Sequence, residues 1–350
     1  MEKVLCIKIA SRGDLLLAAP AFRVLRITRP QAHITLWVGT SCQDVAKHLP
    51  YFDEIQTIDD KALLAGSFLA KTKEAYQLLQ KMKGNEYSEA LIFHRDWRYY
   101  LLAWMGQISI RRGFYNKKGS FFLTHPYRAG LQEHHANQYI GVVGANTPLE
   151  KISLTGLWQF TEGERESALA KAKEHGFKPE AQNWIALGFG GGRNIKTHTE
   201  LKMWPLEYYY QLASRLVEKD FQVVWVGDQE DAKLLNDHKT GIHLAGKLSV
   251  VETASVLSAC KLVVANDTLN LHLAEALSVP TVGLFGPTNP AHYRPLGDRS
   301  AYLWIGEKLA CSPCHRDGYF PACIYAHHCM MELSVDMVLE ESLKRIKEKT

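Results

Sequence analysis

Short apolar runs alternate with stretches of helical spacing along most of the chain. In the first half, the apolar runs predict strands at 4–9, 34–38, 54–58 and 89–93, with helices between them. In the second half, runs at 184–187, 222–226, 262–266 and 279–285 predict further strands, with helices at about 205–218, 250–259 and 334–347. This alternation is typical of parallel sheets flanked by helices.

A polar stretch around 145–160 interrupts the alternation and predicts a linker. At 350 residues the chain is also long for a single core, which favours two domains. The sequence therefore predicts an α/β protein with two Rossmann-like parallel-sheet domains facing a cleft, a GT-B-like layout. The expected bounds are 1–155, 160–333 and a C-terminal helix at 334–350.

Polar side chains stand where two of the predicted strands end. Asp267, Thr268 and His272 lie at the junction of a buried strand and a helix, and Asp14 holds the same position near the N-terminus. Ligands of parallel sheets bind outside the carboxyl ends of the strands, and the N-terminus of a helix favours an anion. These positions predict a site for a phosphorylated ligand.

A two-domain dehydrogenase would show the same alternation of strands and helices. However, the Gly-x-Gly-x-x-Gly fingerprint is missing after the first strand, where Ser11-Arg-Gly13 stands. The glycine-rich run at 188–192 has no helical pattern directly behind it. Both observations count against a nicotinamide cofactor.

The composition adds limits on partners and location. A net charge of +4 without a clustered basic stripe does not suggest a nucleic-acid binder, but is compatible with an anionic small substrate or an anionic membrane surface. We find no signal-peptide pattern and no apolar run of about 18 residues. The expectation is a cytoplasmic protein with reduced cysteines.

Several motifs in order resemble one family. They are Gly13-Asp14 before a helix containing Pro20, Lys202-Met-Trp-Pro205, Trp225-Val-Gly-Asp-Gln-Glu230, Asp267-Thr268-x3-His272, Phe285-Gly-Pro-Thr288 and Cys311-Ser-Pro-Cys314. Together they resemble the ADP-heptose:lipopolysaccharide heptosyltransferases of glycosyltransferase family 9. The resemblance implies an inverting enzyme that moves heptose from ADP-L-glycero-D-manno-heptose to the lipopolysaccharide inner core. It also implies an N-terminal acceptor domain, a C-terminal donor domain and peripheral contact with the inner face of the inner membrane.

The chain departs from the family at Leu269, where the family usually has glycine. Glycine there lets the backbone approach a phosphate, and leucine restricts that approach. A related transferase that uses another nucleotide sugar or a protein acceptor therefore stays open. A non-catalytic metal or redox module is the alternative outside this class.

Asp14 is the candidate general base, and the alternative is a helix N-cap. Lys202 is the candidate partner of the leaving diphosphate, because a fixed ammonium stabilises the charge that develops there; the alternative is a solvated surface lysine. The backbone N–H groups of Gly190, Gly191 and Gly192 are further candidate phosphate ligands, unless this run is only a flexible loop.

The remaining donor-site candidates are Asp267, Thr268, His272 and Glu230. Thr268 would donate to a phosphate, Asp267 would orient Lys202 or bind sugar hydroxyls, and Glu230 would accept from the ribose. The alternatives are a cap for Asp267, a packed helix residue for His272 and an exposed acid for Glu230. Acceptor-side candidates, or else parts of a solvated basic face, are Arg95, Arg98, Arg111 and Arg112.

Four cysteines fall in one short window, at Cys311, Cys314, Cys323 and Cys329. Four thiolates suit a structural zinc or iron site, and the alternative is a cluster of reduced thiols. The Cys-x2-Cys-His pattern of haem attachment is rejected, because it belongs to exported proteins. No Asp-x-Asp occurs in the chain, so we expect that catalysis needs no metal and that Lys202 and helix N-termini meet the diphosphate.

Overall fold

The computed structural model describes residues 1–145, 152, 154–194, 197–198, 200–235, 238–315 and 319–348. The chain forms two compact units, Met1–Ser153 and Leu154–Thr350. Each unit contains one six-stranded sheet, and helices connect most of its strands. The predicted α/β class with two parallel sheets is confirmed.

In the first unit, the strands run in the spatial order β3-β2-β1-β4-β5-β6 and all pairs are parallel. Their bounds are β1 Lys3–Ile7, β2 His33–Gly39, β3 Glu54–Ile58, β4 Glu89–Ile92, β5 Ile110–Phe114 and β6 His125–Tyr127. The helices are α1 Arg12–Thr28, α2 Gln43–Ala46, α3 Asp60–Ala65, α4 Phe68–Asn85, α5 Trp97–Met105 and α6 His135–Val143. The order reverses between β1 and β4, and this is the point where doubly wound sheets bind ligands.

The second unit repeats this topology, with the order β11-β10-β7-β12-β13-β14 and parallel pairs throughout. Its strands are β7 Trp184–Gly188, β8 Arg193–Asn194, β9 Thr197–His198, β10 Gln222–Val226, β11 Ile242–His243, β12 Leu262–Asn266, β13 Thr281–Phe285 and β14 Ala301–Trp304. Its helices are α7 Glu164–Glu174, α8 Leu206–Val217, α9 Gln229–Ala232, α10 Val250–Ser258, α11 Leu269–Ala276, α12 Pro290–Tyr293, α13 His328–Met331 and α14 Val335–Lys347. Here the switch point lies between β7 and β12, and the short β8–β9 pair is antiparallel.

Buried apolar strands hold each sheet against its helices. The first core contains Leu5, Ile92 and Tyr100, and the second contains Trp204 and Trp225 among its largest side chains. Burial of these side chains removes apolar area from water, which is the dominant favourable contribution to folding.

The C-terminal helix α14 belongs to the core of the second unit. Ser334 caps its N-terminus by accepting a hydrogen bond from the Met337 N–H at 3.2 Å. Val338 and Leu339 pack into the same cluster as the sheet strands. In the structure the segment predicted as a separate C-terminal helix is therefore one layer of that unit.

The apolar runs located the strands well, with β10 matched to the residue. The strands that they did not predict are β5, β6, β11 and β14, besides the two-residue strands β8 and β9. The charged Arg111 and Arg112 interrupt the apolar pattern of β5, and β6 and β11 are only two or three residues long. Among the described residues, none of the helices is both long and apolar enough to cross a bilayer.

Candidate functional site

In the first unit, a buried lysine and an aspartate meet just beyond the end of β1. Lys8 follows this strand with only 3% of its side chain exposed, and its Nζ lies 3.4 Å from Asp14 Oδ2. The same Nζ donates to the Ala10 carbonyl at 2.6 Å and lies 5.6 Å from the centre of the Tyr139 ring. Asp14 is held in place by a buried cation.

Asp14 is not the N-cap of α1. The cap position belongs to Ser11, and Asp14 is the third helical residue. Its carboxyl group accepts a hydrogen bond from the Ser11 backbone N–H. The carboxyl therefore stabilises the helix start while 36% of the side chain remains exposed to solvent.

The charges around Asp14 favour its ionised form. Burial raises the pKa of the carboxyl, but the nearby Lys8 ammonium, His135 and the hydrogen bonds from Lys8 and Ser11 outweigh burial. The pKa of Asp14 consequently lies below its ordinary value. An ionised carboxylate is the form that a general base requires.

His94 lies at the matching end of β4. Its Nε2 accepts a hydrogen bond from the Ile9 N–H at 2.7 Å, and its ring stacks on Tyr99 at 4.9 Å. Burial, reinforced by the charge on Lys8, lowers the pKa of His94 to about 3. The neutral ring ties the ends of β1 and β4 together at the switch point.

The four arginines predicted on the acceptor side differ in their contacts. Arg95 and Arg98 are exposed just after β4; Arg95 donates to Gln138 Oε1 at 2.6 Å, and Arg98 pairs with Asp96.

Arg111 and Arg112 lie in β5 and have structural partners. Arg111 Nε donates to the Phe122 carbonyl at 2.6 Å. Arg112 Nε donates to the buried carboxylate of Glu89 at 2.6 Å. The same carboxylate also pairs with Arg29. All four arginines therefore have partners, and Arg95 and Arg98 differ from Arg111 and Arg112 in being exposed.

In the second unit, Lys202, Asp267 and His272 form one buried cluster at the end of β12. Lys202 Nζ donates to Asp267 Oδ2 at 2.8 Å and to the Asp267 carbonyl at 3.1 Å. His272 Nε2 lies 3.4 Å from Asp267 Oδ1. Lys202 is therefore not a freely solvated lysine, since 19% of its side chain is exposed.

The cluster keeps Asp267 charged. Burial raises the pKa of its carboxyl, but Lys202 and His272 outweigh burial and hold that pKa far below the usual range. The resulting lysine–aspartate pair fixes the ammonium at the switch point of the sheet. A fixed ammonium is suited to a diphosphate, because it needs no reorganisation as charge develops.

Thr268, not Asp267, is the N-cap of α11, and its hydroxyl makes no capping hydrogen bond. The Asp267 carboxylate therefore accepts from Lys202 and does not cap the helix. Thr268 and Leu269 are half-exposed at the start of this helix, beyond the carboxyl end of β12.

Asn266 joins three elements of this site. Its Nδ2 donates to the carbonyls of Phe189 and Gly190 at 2.9 Å each, and its Oδ1 accepts from the Trp204 N–H and the Tyr209 hydroxyl at 3.1 Å. The buried amide therefore sets the glycine-rich turn and the Lys202 segment in register with β12.

The glycine-rich turn follows β7 directly. A Cβ on Gly190 would overlap the carboxylate of Asp231, which is buried and accepts the Asp228 N–H at 3.0 Å. Gly192 has a φ of +76°, a conformation that favours glycine. Close packing and backbone geometry explain two of the three glycines.

Glu230 lies in α9, after β10, and forms an exposed pair with Lys233 at 2.6 Å. The hydroxyl of Thr288, after β13, is fully buried and has no hydrogen-bond partner within the described part of the chain.

The four cysteines lie near the end of β13. The Cys314 N–H donates to the Pro287 carbonyl at 3.0 Å, and a Cβ on Gly286 would lie 3.0 Å from Cys329 Sγ. Burial, followed by the charges of the other three thiols, raises the pKa of Cys329 to about 12. The cysteine segment also touches the Lys202 turn, because His327 bonds the Leu201 carbonyl.

Sequence reasoning missed Lys8, His94, Asn266 and Asp231 as parts of these clusters. Lys8 and Asn266 share a signal that could have revealed them, since each is a polar residue at the end of a buried apolar run. The partners of Asn266 are distant in sequence and leave no local pattern, whereas Lys8 contacts Ala10 and Asp14 of the same strand-to-helix turn.

Comparisons with known proteins place this chain in a family. The model of glycosyltransferase family 9 (heptosyltransferase) matches residues 75–320. Lipooligosaccharide heptosyltransferase 2 of Haemophilus ducreyi is 22% identical, with 97% of this chain and 98% of the relative covered.

Two solved structures share the fold. The glycosyl transferase family 9 protein of Veillonella parvula aligns with a TM-score of 0.80 at 20% identity, covering 99% of this chain and 98% of its own. The ADP-heptose lps heptosyltransferase II of E. coli aligns with a TM-score of 0.73 at 20% identity, covering 98% of each chain. Since the family model spans more than half of the chain, this protein is an enzyme that belongs to glycosyltransferase family 9, the heptosyltransferase family.

Proposed function

We propose that the protein transfers heptose from ADP-L-glycero-D-manno-heptose to the inner core of lipopolysaccharide, with inversion at the anomeric carbon. The observation that carries the proposal is the Lys202 ammonium fixed by Asp267 at the switch point of the second sheet. The names of the relatives support heptose as the sugar and a lipooligosaccharide as the acceptor.

In this mechanism the second unit binds the donor. Lys202 neutralises the diphosphate as the bond to the anomeric carbon breaks, so ADP leaves as an anion stabilised by a positioned charge. The N–H groups at the start of α11 and the turn of Gly190, Gly191 and Gly192 add donors for the same phosphates. Thr268 is the proposed hydroxyl donor, His272 orients Asp267, and Glu230 is the proposed ribose acceptor.

The first unit binds the acceptor. Asp14 takes the proton from the attacking hydroxyl as the oxygen bonds to the anomeric carbon, and Lys8 positions the carboxylate. Arg95 and Arg98 are the proposed contacts for the anionic groups of the acceptor, because guanidinium groups bind phosphate and carboxylate in bidentate fashion. Such an enzyme would work in the cytoplasm at the inner face of the inner membrane.

A donor screen tests the proposal. Purified protein is given a lipid-linked core acceptor with ADP-heptose, an ADP-hexose, UDP-glucose or GDP-mannose, and nucleotide release and the anomeric configuration of the product are measured. We expect ADP release with ADP-heptose and an inverted product. Preferred release of UDP or GDP would instead support a related transferase with another donor, which Leu269 in place of glycine favours. Absence of transfer with all donors would favour a non-catalytic module.

We also propose that the four cysteines are structural and that any zinc or iron they hold takes no part in catalysis. In the described geometry, no group of three or more histidine, cysteine, aspartate or glutamate side chains is arranged to hold a metal ion. The steps proposed above use Lys202, backbone N–H groups and Asp14, and none of them is routed through a metal.

Cys314→Ser tests the structural role. We expect a lower free energy of unfolding, because the half-buried Cys314 thiol lies near the buried Cys329 and serine puts a more polar group there, with kcat at saturating donor retained in the folded fraction. Cys260→Ser, a buried cysteine outside the window, is the matched control for loss of a thiol. Elemental analysis of the wild type reports bound zinc or iron, and a collapse of kcat in folded Cys314→Ser would contradict the structural assignment.

A further inference from the structure

An exposed aromatic patch lies on the first unit, outside the clusters described above. It consists of Trp104 and Met105 at the end of α5 and Phe121 and Phe122 in the 3-10 turn that follows β5. Trp104 and Phe122 are 5.5 Å apart between ring centres, and Phe121 and Phe122 are 4.2 Å apart. Trp104 is 52% and Phe121 73% exposed, so the patch presents large apolar side chains to solvent.

A groove of about 510 Å³ adjoins the patch. Leu79 and Lys83 of α4 line it together with Trp104, Met105 and Arg111. Arg111 is held there by its hydrogen bonds to the carbonyls of Ile108 and Phe122. The groove is lined by apolar side chains of the patch together with polar and cationic ones, so it places fixed positive charge directly beside the exposed aromatic rings.

Further exposed lysines lie at the groove and next to the aromatic turn along the chain. Lys83 is exposed at the groove, and Lys117 and Lys118 are exposed immediately before the turn that carries Phe121. Glu86 is exposed one turn beyond Lys83 and offsets one of these charges. The rim is net positive, which complements an anionic surface.

We propose that this aromatic patch is the surface by which the protein rests on an anionic phospholipid bilayer. Aromatic side chains prefer the headgroup level of a membrane, and nearby lysines are drawn to anionic lipids. A second copy of the chain fits less well, because a symmetric contact through this patch would bring the two positive rims together. The inference rests on the proposed function, since a lipid-linked acceptor would lie in that bilayer.

Vesicle co-sedimentation tests the proposal. The probes are phosphatidylcholine vesicles and vesicles with about one third phosphatidylglycerol. We expect the wild type to bind the anionic vesicles, more weakly at high salt because exposed charges are screened. The double variant Trp104→Ser/Phe121→Ser should weaken this binding at least tenfold. The single variant Phe121→Ser should weaken it about threefold. Phe121→Ser changes a largely exposed side chain, so it keeps the test valid if the double variant does not fold.

The matched control is Phe68→Ser/Leu69→Ser at the start of α4. These side chains are 82% and 79% exposed but lie about 20 Å along the helix from the groove. The control should bind vesicles like the wild type. The proposal would be overturned if the wild type did not bind anionic vesicles, or if the control and patch variants lost vesicle binding equally. A wild-type dimer that dissociates in Phe121→Ser would also overturn it.

A separate measurement distinguishes this inference from the proposed function. Turnover on a delipidated, water-soluble core acceptor should be unchanged in Phe121→Ser. If the wild type binds vesicles through the patch but transfers no heptose, only the proposed function fails. If transfer is intact and vesicle binding is absent, only the bilayer surface fails.

Discussion

At the residue scale, the proposed chemistry uses two lysine–aspartate pairs that differ in geometry. Lys202 and the buried Asp267 are 2.8 Å apart, with Lys202 19% exposed, whereas Lys8 and Asp14 are 3.4 Å apart with Lys8 buried and Asp14 partly exposed. The tighter pair holds a cation in a fixed position, as its proposed role toward the diphosphate requires. The looser pair leaves a carboxylate accessible to solvent, as the proposed role of Asp14 as general base requires.

Asp14→Asn should remove turnover while the protein remains folded and binds donor. A positioned general base typically contributes about 10²–10⁴-fold in rate, so we expect kcat to fall by that range with little change in donor KM. Steady-state kinetics and a melting curve measure the two effects. Asp44→Asn, which removes the partner of Arg12 beside the same helix start, is the matched control. Near-normal kcat in folded Asp14→Asn would refute the assignment of the base.

Lys8→Met should move the acid limb of the pH profile upward. With Lys8 present, the pKa of Asp14 is lowered, so the carboxylate stays ionised and competent at pH values below the usual range of an aspartate. Without the ammonium, burial dominates and the pKa of Asp14 rises, so kcat/KM is lost at a higher pH. Arg12→Met removes a cation that pairs with Asp44 instead and should leave the limb in place. An unshifted limb in Lys8→Met would show that Lys8 does not tune Asp14.

At the element scale, the turn after β7 is shaped by close packing. Asp231 fills the space beside Gly190 and also completes the capping box that starts α9. Asn266 fixes the other side of the turn through two carbonyls. The turn is therefore held from two sides, in keeping with a role in presenting backbone donors.

Gly190→Ala should destabilise the protein and weaken ADP binding. The new Cβ must displace the Asp231 carboxylate and break the capping box, so we expect a loss of about 1–3 kcal/mol in the free energy of unfolding. Gly84→Ala in α4 is the matched control, because a Cβ there meets no atom within 4 Å. That change should stabilise by about 0.4–1 kcal/mol. Urea denaturation measures both, and equal stability of the two variants would contradict the packing argument.

At the scale of the whole molecule, the two units have the same strand order. In each sheet the direction of this order reverses between the first and the fourth strand along the chain. In each unit the polar cluster lies at that reversal. The repeated topology thus supplies two candidate ligand-binding edges, which differ in the side chains that occupy them.

ADP should stabilise the protein more than UDP or GDP, if the second unit binds ADP. Ligand at about 100 times its dissociation constant adds roughly 2.7 kcal/mol to the free energy of unfolding. Thermal-shift titrations with the three nucleotides measure the difference. Lys202→Met should reduce the ADP shift, whereas Lys233→Met, which removes an exposed lysine paired with Glu230, should retain it. Equal shifts with all three nucleotides would refute ADP selectivity.

The sequence alone determined the class of fold, most of the strands and the positions at which polar residues end them. These features are local, because burial of a strand requires an apolar run and a helix requires its own spacing. Asp14 and Asp267 could be singled out for the same reason, since each stands at a predictable junction of strand and helix. Lys202 was singled out instead by the motif that carries the family resemblance. The short strand β6 and the arginine-containing β5 lacked such a pattern.

Only the tertiary structure decided which side chains meet. Lys202 and Asp267 are 65 residues apart, and Asn266 bonds carbonyls 76 and 77 residues away. The same applies to Arg112, whose pairing with Glu89 gives it a structural role that its residue type does not reveal. Contacts of this kind depend on the order of strands in the sheet. That order follows from the packing of the whole unit and not from the periodicity of any one segment.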